Sequence, residues 1–476
     1  MTGKKTRPEV AHTMDTYQIE DVVARQRAYF RTHATFDVNI RKAALTRLLD
    51  AVAAHEADIA SALHDDLGKS PDEAYTCETG LSLSEIRYQR DHLARWSRPH
   101  PALTNLANSF ARSWTQRVPY GVTLVMAPWN YPFLLTLEPL AGALAAGNTV
   151  VLKPSAYAPA SSAVLRQICE ECFEPELVAV VEGGRAENAA LLDQRWDHIF
   201  FTGGTTVGRL VMERASATLT PVTLELGGKS PCVVDATANL RVAARRVAFG
   251  KWLNLGQTCV APDYLLVDRR VHDEFLSLLI DEVHAMYGAH PLQNPAYGKM
   301  VNKKHFDRVC GLVDASAQKV VLGGTASADA AHLRIEPTIL DGVDATDAVM
   351  GEEIFGPVLP VLTYDTLDEA ETFIMDRPTP LALYVFTSSR EVEKRLTTLV
   401  PFGGGCVNDT IIHLANPHIG FGGMGASGMG SYHGVRSFNT FTHEKGIVKK
   451  YTFPDLPMRY QPYAGWKNGV IRLFLH

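Results

Sequence analysis

Cysteine is scarce and scattered in this chain. Seven in 476 residues cannot make a disulfide scaffold, and an odd count leaves at least one thiol free. That excludes a small secreted, disulfide-stapled fold and fits a reducing, intracellular setting. Positive charge is not in excess either. Lys and Arg number 46 against 52 Asp and Glu, a formal net charge of −6, so the bulk field used in non-specific nucleic-acid binding is missing. No internal repeat and no low-complexity segment occur. Lys4, Lys5 and Arg7 are followed by no apolar core, so no signal peptide is expected. The one long, weakly charged stretch is Val122 to Leu152, where Glu138 is the only formal charge. A spanning helix wants ~20 apolar residues. Here Pro128, Pro132, Pro139, Gly142, Gly147 and Asn148 interrupt the run, so it reads as buried strand, turn, helix and strand.

What is present is an ordinary globular composition, 46% hydrophobic and 21% charged, with a length suited to about three domains at ~150 residues each. The first hundred residues have helical periodicity: Leu45, Leu48, Leu49, Val52, Ala53 and Ile59 within 40–67, then a second helix over 79–96. Arg98-Pro99-His100-Pro101 ends it. Short apolar runs then alternate with helical segments. Strands are predicted at 122–126, 149–152, 177–181 and 198–201, with helices at 133–146, 161–172 and 187–193. Strands without polar alternation are covered on both faces, and the strand–helix alternation predicts a doubly wound, Rossmann-type α/β domain. A second α/β region begins at Cys232-Val233-Val234. Seven glycines from Gly420 to Gly434 suit close backbone approach. Val470 to Leu475 suits a short amphipathic helix.

Few residues stand out as chemically suggestive. Cys169 and Cys172 form a lone Cys-x-x-Cys without the second pair or histidines that zinc requires, and no metal site is expected. Cys232 sits in an apolar strand as packing. Cys259 differs, because it closes the polar, glycine-bearing loop Asn254-Leu255-Gly256-Gln257-Thr258 between helix and strand. Glu225 lies between two leucines before Gly227-Gly228. It is either a buried carboxylate with the raised pKa of a general base or a strand end facing water. Asn130, in Pro128-Trp129-Asn130-Tyr131-Pro132, is either an amide donor for an oxyanion or a turn former. Gly203-Gly204-Thr205-Thr206-Val207-Gly208 joins strand to helix and narrowly misses the dinucleotide fingerprint, since Thr205 takes the middle glycine position. A helix N-terminus there still suits a pyrophosphate.

Together and in order, six motifs resemble the aldehyde dehydrogenase superfamily from about Arg41 to Tyr460. They are Pro128-Trp129-Asn130-Tyr131-Pro132, Lys153-Pro154-Ser155, Phe201-Thr202-Gly203-Gly204-Thr205, Glu225-Leu226-Gly227-Gly228-Lys229, Gly256-Gln257-Thr258-Cys259 and Glu352-Glu353-Ile354-Phe355-Gly356-Pro357. Ser230-Pro231-Cys232, Ala261-Pro262-Asp263-Tyr264 and Gly430-Ser431-Tyr432-His433-Gly434 resemble its class-three branch, which includes fatty and aromatic aldehyde dehydrogenases. The resemblance implies a nucleophilic Cys259, an oxyanion held by Asn130 and the Cys259 amide, and Glu225 as the base that activates water. It implies Lys153 and Glu353 on ribose hydroxyls, Phe355 by the nicotinamide ribose, and Gly203, Gly204, Thr205 and Gly208 along the pyrophosphate. Trp129 and Leu226 would complete the cofactor wall.

Three positions depart from the pattern. Ala156 stands where relatives carry the glutamate that rejects a 2′-phosphate, so both NAD and NADP are expected to serve. Gly204 replaces a serine. Phe249, with Tyr75 facing it, stands where narrow aromatic pockets carry tryptophan, which suggests a roomy apolar pocket for medium or long aliphatic or aromatic aldehydes. The resemblance also implies an NAD(P)-binding domain (1–98 and 119–226), a catalytic domain (227–435), a small β bridging arm (99–118 and 436–453) that makes a homodimer, and a tail (454–476). No transmembrane segment and no nucleic-acid partner are expected. A cytoplasmic location follows, with the tail (Leu473, Phe474 and Leu475) packing on a subunit or touching a membrane surface. Two other readings remain: a relative that passes its thioester to coenzyme A, and a non-catalytic binding or structural protein on the same fold. Glu225 argues against the first, because a thiol acceptor needs no water-activating base.

Overall fold

The computed structural model describes residues 14–463 and 465–474. Among them, three sheets organise the chain. The first has the order Gly428–Met429, Val222–Glu225, His198–Thr202, Val122–Met126, Thr149–Lys153, Val178–Val180. Its pairings are parallel apart from the antiparallel Gly428–Met429 edge. Every residue of the strands at 122–126, 149–153 and 198–202 is buried, which is why their sequences show no alternation. The helix Leu134–Ala146 is buried at all 13 positions despite Pro139 within it. The apolar stretch that imitates a membrane span is therefore buried strand and helix at the centre of the first sheet's core. No helix among the described residues is long and apolar enough to cross a membrane.

The second sheet has seven strands in the order Val320–Leu322, Thr338–Asp341, Val358–Tyr364, Tyr264–Asp268, Pro231–Val234, Ala382–Phe386, Gly404–Val407. All but the first are parallel. The third sheet is a small antiparallel one, with His100–Ala102 on Ala111–Pro119 and the latter on Thr442–Lys450.

Some local expectations shift. The helix read through 40–67 is two helices, Val38–Ala54 and Glu56–Leu67. They part at His55, whose ring bridges Asp58 and Glu171 at 2.8 Å each. Within the arm segment 436–453 the strand starts only at Thr442, because Val435–Thr440 is a short helix that buries Phe438 against Trp96, ring centroids 5.6 Å apart. The glycine-rich segment, assigned from sequence to the second region, reaches back. Gly428 pairs with Glu225 and Met429 with Leu224, on the edge of the first sheet. A side chain at Gly428 would collide with the Leu224 carbonyl, and its φ of +138° is glycine territory. The tail forms the helix Trp466–Phe474 with Leu473 exposed; Leu475 lies outside the described residues.

Candidate active site

A parallel sheet gathers the loops that follow its strands at one end. In the first sheet that end carries Trp129 and Asn130 after Met126, Lys153, Gly203 and Gly204 after Thr202, and Glu225 itself. Cys259 arrives from the second half of the chain. The backbone leading to it is unusual: Asn254, Leu255 and Gly256 have φ of +50°, +54° and +70°. A left-handed conformation costs a residue other than glycine ~1–2 kcal/mol, so the neighbours must hold it. Asn254 N donates to Glu73 Oε1 at 2.8 Å and Asn254 Nδ2 to the Asn130 carbonyl at 2.8 Å. Gln257 Nε2 donates to the Asn254 and Lys299 carbonyls at 3.1 Å each, and Gln257 Oε1 accepts from Val301 N. At Gly256 a Cβ would run into the Gly356 carbonyl, which packs this turn directly against the Glu352–Pro357 segment.

Cys259 is partly buried. Burial pushes its thiol pKa up; the Glu353 and Glu225 carboxylates push the same way, opposed by the backbone amides of Cys259 and Val260. The surroundings are acidic and desolvated, which favours the protonated thiol; a site of this kind also requires a general base.

Glu225 supplies a candidate. It is buried, burial lifts its carboxyl well above the ordinary range, and neither oxygen has a hydrogen-bond partner among the described residues. Of the two readings open from sequence, a solvent-facing strand end is thus excluded. A Cβ on Gly422 would sit 3.1 Å from Glu225 Oε1, so glycine there leaves room beside the carboxylate. Asn130 is buried too, with Nδ2 donating to the Gln257 carbonyl at 2.9 Å. Its neighbour Tyr131 bonds Thr258 Oγ1 at 2.6 Å. Asn130 is therefore tied on both sides to the loop that carries Cys259.

A second group faces the helix Thr205–Ser216, whose N-terminus is capped by Gly204 without a side-chain bond. A Cβ on Gly203 would meet the Phe201 ring and one on Gly208 the Leu226 side chain, whereas nothing lies within 4 Å at Gly204. Lys153 is buried, with Nζ donating to the Pro154 carbonyl at 2.7 Å, and burial lowers its pKa to about 8 against the pull of Glu187 and Glu182. Glu353 lies over Gly227, where a Cβ would strike its carboxylate. Its Oε1 has no partner among the described residues, and burial, aided by Asp263, raises its pKa to about 8. Phe355, with φ +48°, packs edge-on to Trp129 at 5.3 Å between centroids. A buried ammonium short of acceptors, a carboxyl short of donors and an open helix N-terminus fit the ribose hydroxyls and pyrophosphate of a dinucleotide.

Tyr75 and Phe249 are 47% and 43% exposed. Tyr131, Leu134 and Leu135 form a small buried cluster beside Asn130, with Cys77 and Leu81 packed against it. Sequence reasoning named Asn254 and Gln257 only as members of the loop before Cys259, without a role, and missed Lys69, Glu78 and Arg308. Arg308 holds the Glu352–Phe355 loop through Glu352 Oε1 at 2.9 Å and the Glu353 and Ile354 carbonyls. Most of these contacts end on backbone atoms, which leave no signature in residue type.

A two-sheet α/β frame with an open helix N-terminus at the end of the first sheet, and a thiol under the influence of two carboxylates, fits the class of dinucleotide-dependent oxidoreductases. The chain belongs to the aldehyde dehydrogenase family, whose model matches residues 5–447, and it is an enzyme that oxidises aldehydes. It is 45% identical over 456 residues to the 4,4′-diaponeurosporen-aldehyde dehydrogenase of Staphylococcus aureus, spanning 96% of this chain and 99% of that one. A solved substrate-bound state of Staphylococcus aureus AldH superposes with a TM-score of 0.94 at 44% identity, covering 96% of this chain and 99% of that one. Aldehyde dehydrogenase family 3 member A2 of Rattus norvegicus is 42% identical over 459 residues, 96% of this chain and 94% of its own. The dimeric NADP-preferring aldehyde dehydrogenase of Canis lupus familiaris is 41% identical over 447 residues, 94% and 98%.

Proposed function

We propose that this aldehyde dehydrogenase converts medium- or long-chain aliphatic, or aromatic, aldehydes to carboxylic acids through Cys259, using NAD or NADP. One observation carries the catalytic assignment: the Glu225 carboxyl is buried and unpartnered among the described residues, and lies near enough to Cys259 for its charge to raise the thiol's pKa. The Cys259 thiol releases its proton to solvent as Sγ adds to the aldehyde carbonyl. The oxygen charge is met by the Asn130 amide and the Cys259 backbone N–H. Losing one such donor typically costs ~3–4 kcal/mol of transition-state stabilisation. A nicotinamide dinucleotide, when bound, accepts the hydride. Cys259 is left as a thioester. Glu225 then takes a proton from water as its oxygen attacks the acyl carbon; the C–S bond breaks and the acid leaves.

Lys153 and Glu353 would hold ribose hydroxyls, Gly203, Gly204, Thr205 and Gly208 the pyrophosphate, and Trp129, Leu226 and Phe355 the nicotinamide side. Residues 1–98 and 119–226 form the cofactor domain in this reading, 227–435 the catalytic one, and 99–118 with 436–453 an arm. Among the described residues, Thr442–Lys450 pairs on one side only, with Ala111–Pro119. Such an edge is a template for a second copy, which supports a homodimer. The enzyme is placed in the cytoplasm, in keeping with seven free cysteines. Ala156 is exposed and presents no carboxylate to a 2′-phosphate, which supports use of both cofactors.

The test is an aldehyde panel with each cofactor, with and without coenzyme A, on wild type and Cys259→Ala. Expected are acid formation without coenzyme A, loss of activity in the variant, and kcat/KM values for NAD and NADP within a hundredfold. A coenzyme A requirement, or an active Cys259→Ala, would overturn the reading.

A further inference from the structure

Lys69 and Glu78 form an ion pair that water does not reach, with side-chain exposures of 1% and 0%. Such pairs seldom stabilise a fold more than apolar residues of the same size, so their presence calls for another explanation. Their remaining hydrogen bonds supply it. Beyond Glu78, Lys69 Nζ donates to the Asn130 carbonyl at 3.0 Å and lies 4.0 Å from the centre of the Tyr131 ring. The other oxygen of Glu78 accepts from Phe133 N at 2.8 Å and Leu134 N at 3.3 Å. The pair therefore grips the segment 130–134 at both ends. It also anchors the first turn of the buried helix Leu134–Ala146.

The grip extends to the thiol loop. Asn254 Nδ2 converges with Lys69 on the same Asn130 carbonyl, and Asn254 N is held by Glu73 Oε1 from the same stretch of chain as Lys69 and Glu78. Asn130 Nδ2 spends one hydrogen on the Gln257 carbonyl. The direction of its second N–H is then set by where the backbone of residue 130 sits. That backbone is what Lys69 and Glu78 fix. Glu78 reaches the site from a π-helical turn, Tyr75–Thr79, a local irregularity that often marks functional sites.

We propose that Lys69 and Glu78 are positioning residues for aldehyde oxidation, together aiming the Asn130 amide at the oxygen that becomes charged. The inference rests on the reading of Asn130 as an oxyanion donor. Neither residue touches substrate. A misaimed donor lowers transition-state stabilisation while leaving ground-state binding intact.

The experiment compares wild type, Asn130→Ala, Lys69→Met/Glu78→Leu, and the triple combination, with octanal and NAD. Rates are normalised to active sites counted by the burst of reduced cofactor. Circular dichroism and thermal unfolding report the fold. Expected for the apolar pair is a folded enzyme whose kcat per active site falls about tenfold or more, with KM for octanal within threefold and no further loss in the triple variant beyond Asn130→Ala. Should the apolar pair not fold, Glu78→Gln, which keeps the volume, carries the same comparison in both backgrounds.

A purely structural role would lower the number of active sites but not the rate per site, and that result overturns the proposal. So does an additive loss in the triple variant. If Asn130→Ala itself keeps full kcat, the oxyanion reading falls and takes this inference with it. If Asn130→Ala is impaired while the pair is not, only the inference falls.

Discussion

Replacing Glu225 with glutamine should separate stability from turnover. The carboxyl is buried without a hydrogen-bond partner among the described residues, and burial raises its pKa well above the ordinary 4.5. In the unfolded chain it ionises near that ordinary value. Below pH 4.5 both states hold the proton and the group is neutral to stability. As pH rises toward the raised folded value, the unfolded chain gives up a proton that the folded one retains. Wild type then loses stability at up to ~1.4 kcal/mol per pH unit for one proton. The glutamine variant has no such slope. Its stability relative to wild type should climb from pH 4.5 through neutrality, as read by urea denaturation at pH 4.5, 6 and 7.5. Turnover should move the other way. Loss of a general base typically costs ~10²–10⁴ in rate, and here it falls on thioester hydrolysis. Stopped-flow traces should show a burst of reduced cofactor near one per active subunit, followed by a collapsed steady state. A stability difference that is flat with pH, or a steady-state rate within a few-fold of wild type, would refute the argument. If Glu353→Gln instead gave the burst and collapse, the base would be reassigned to Glu353.

Three further outcomes can be checked. Glu353 ionises near pH 8 and its charge raises the Cys259 thiol, so Glu353→Gln should shift the pH profile of Cys259 alkylation by iodoacetamide to lower pH. Arg308→Ala should raise KM for the cofactor several-fold with kcat less affected, because Arg308 holds the Glu353 and Ile354 carbonyls next to Phe355; calorimetric titration with NAD checks it. Gly256→Ala should destabilise the protein by at least ~1–2 kcal/mol from backbone conformation alone, and more because a Cβ meets the Gly356 carbonyl, as measured by thermal unfolding.

Four of the six strands of the first sheet, at 122–126, 149–153, 178–180 and 198–202, are readable in the sequence because burial leaves them uninterrupted and apolar, whereas Val222–Glu225 and Gly428–Met429 are not. Val358–Tyr364 is hidden by Pro360 at its middle, and Gly404–Val407 by its two glycines, since both residue types argue against a strand. The division at His55 is invisible because the apolar periodicity runs straight through it. At the site, the motifs bring Cys259, Glu225 and Asn130 into view, since side-chain chemistry restricts residue type. The left-handed run at Asn254–Gly256 and the Lys69–Glu78 pair leave no comparable trace. Lys69 reaches a carbonyl 61 positions away and Glu78 an amide 55 away, and every residue offers those backbone atoms.

The short strand Gly428–Met429 closes the edge beside Glu225 from far along the chain. During translation the proposed nucleophile at 259 leaves the ribosome while that edge is still open and the strand bearing the proposed base lacks its last neighbour. Completion of the site is thereby deferred until residue 429 has been made, and a product terminated before it carries Cys259 without the strand that covers Glu225.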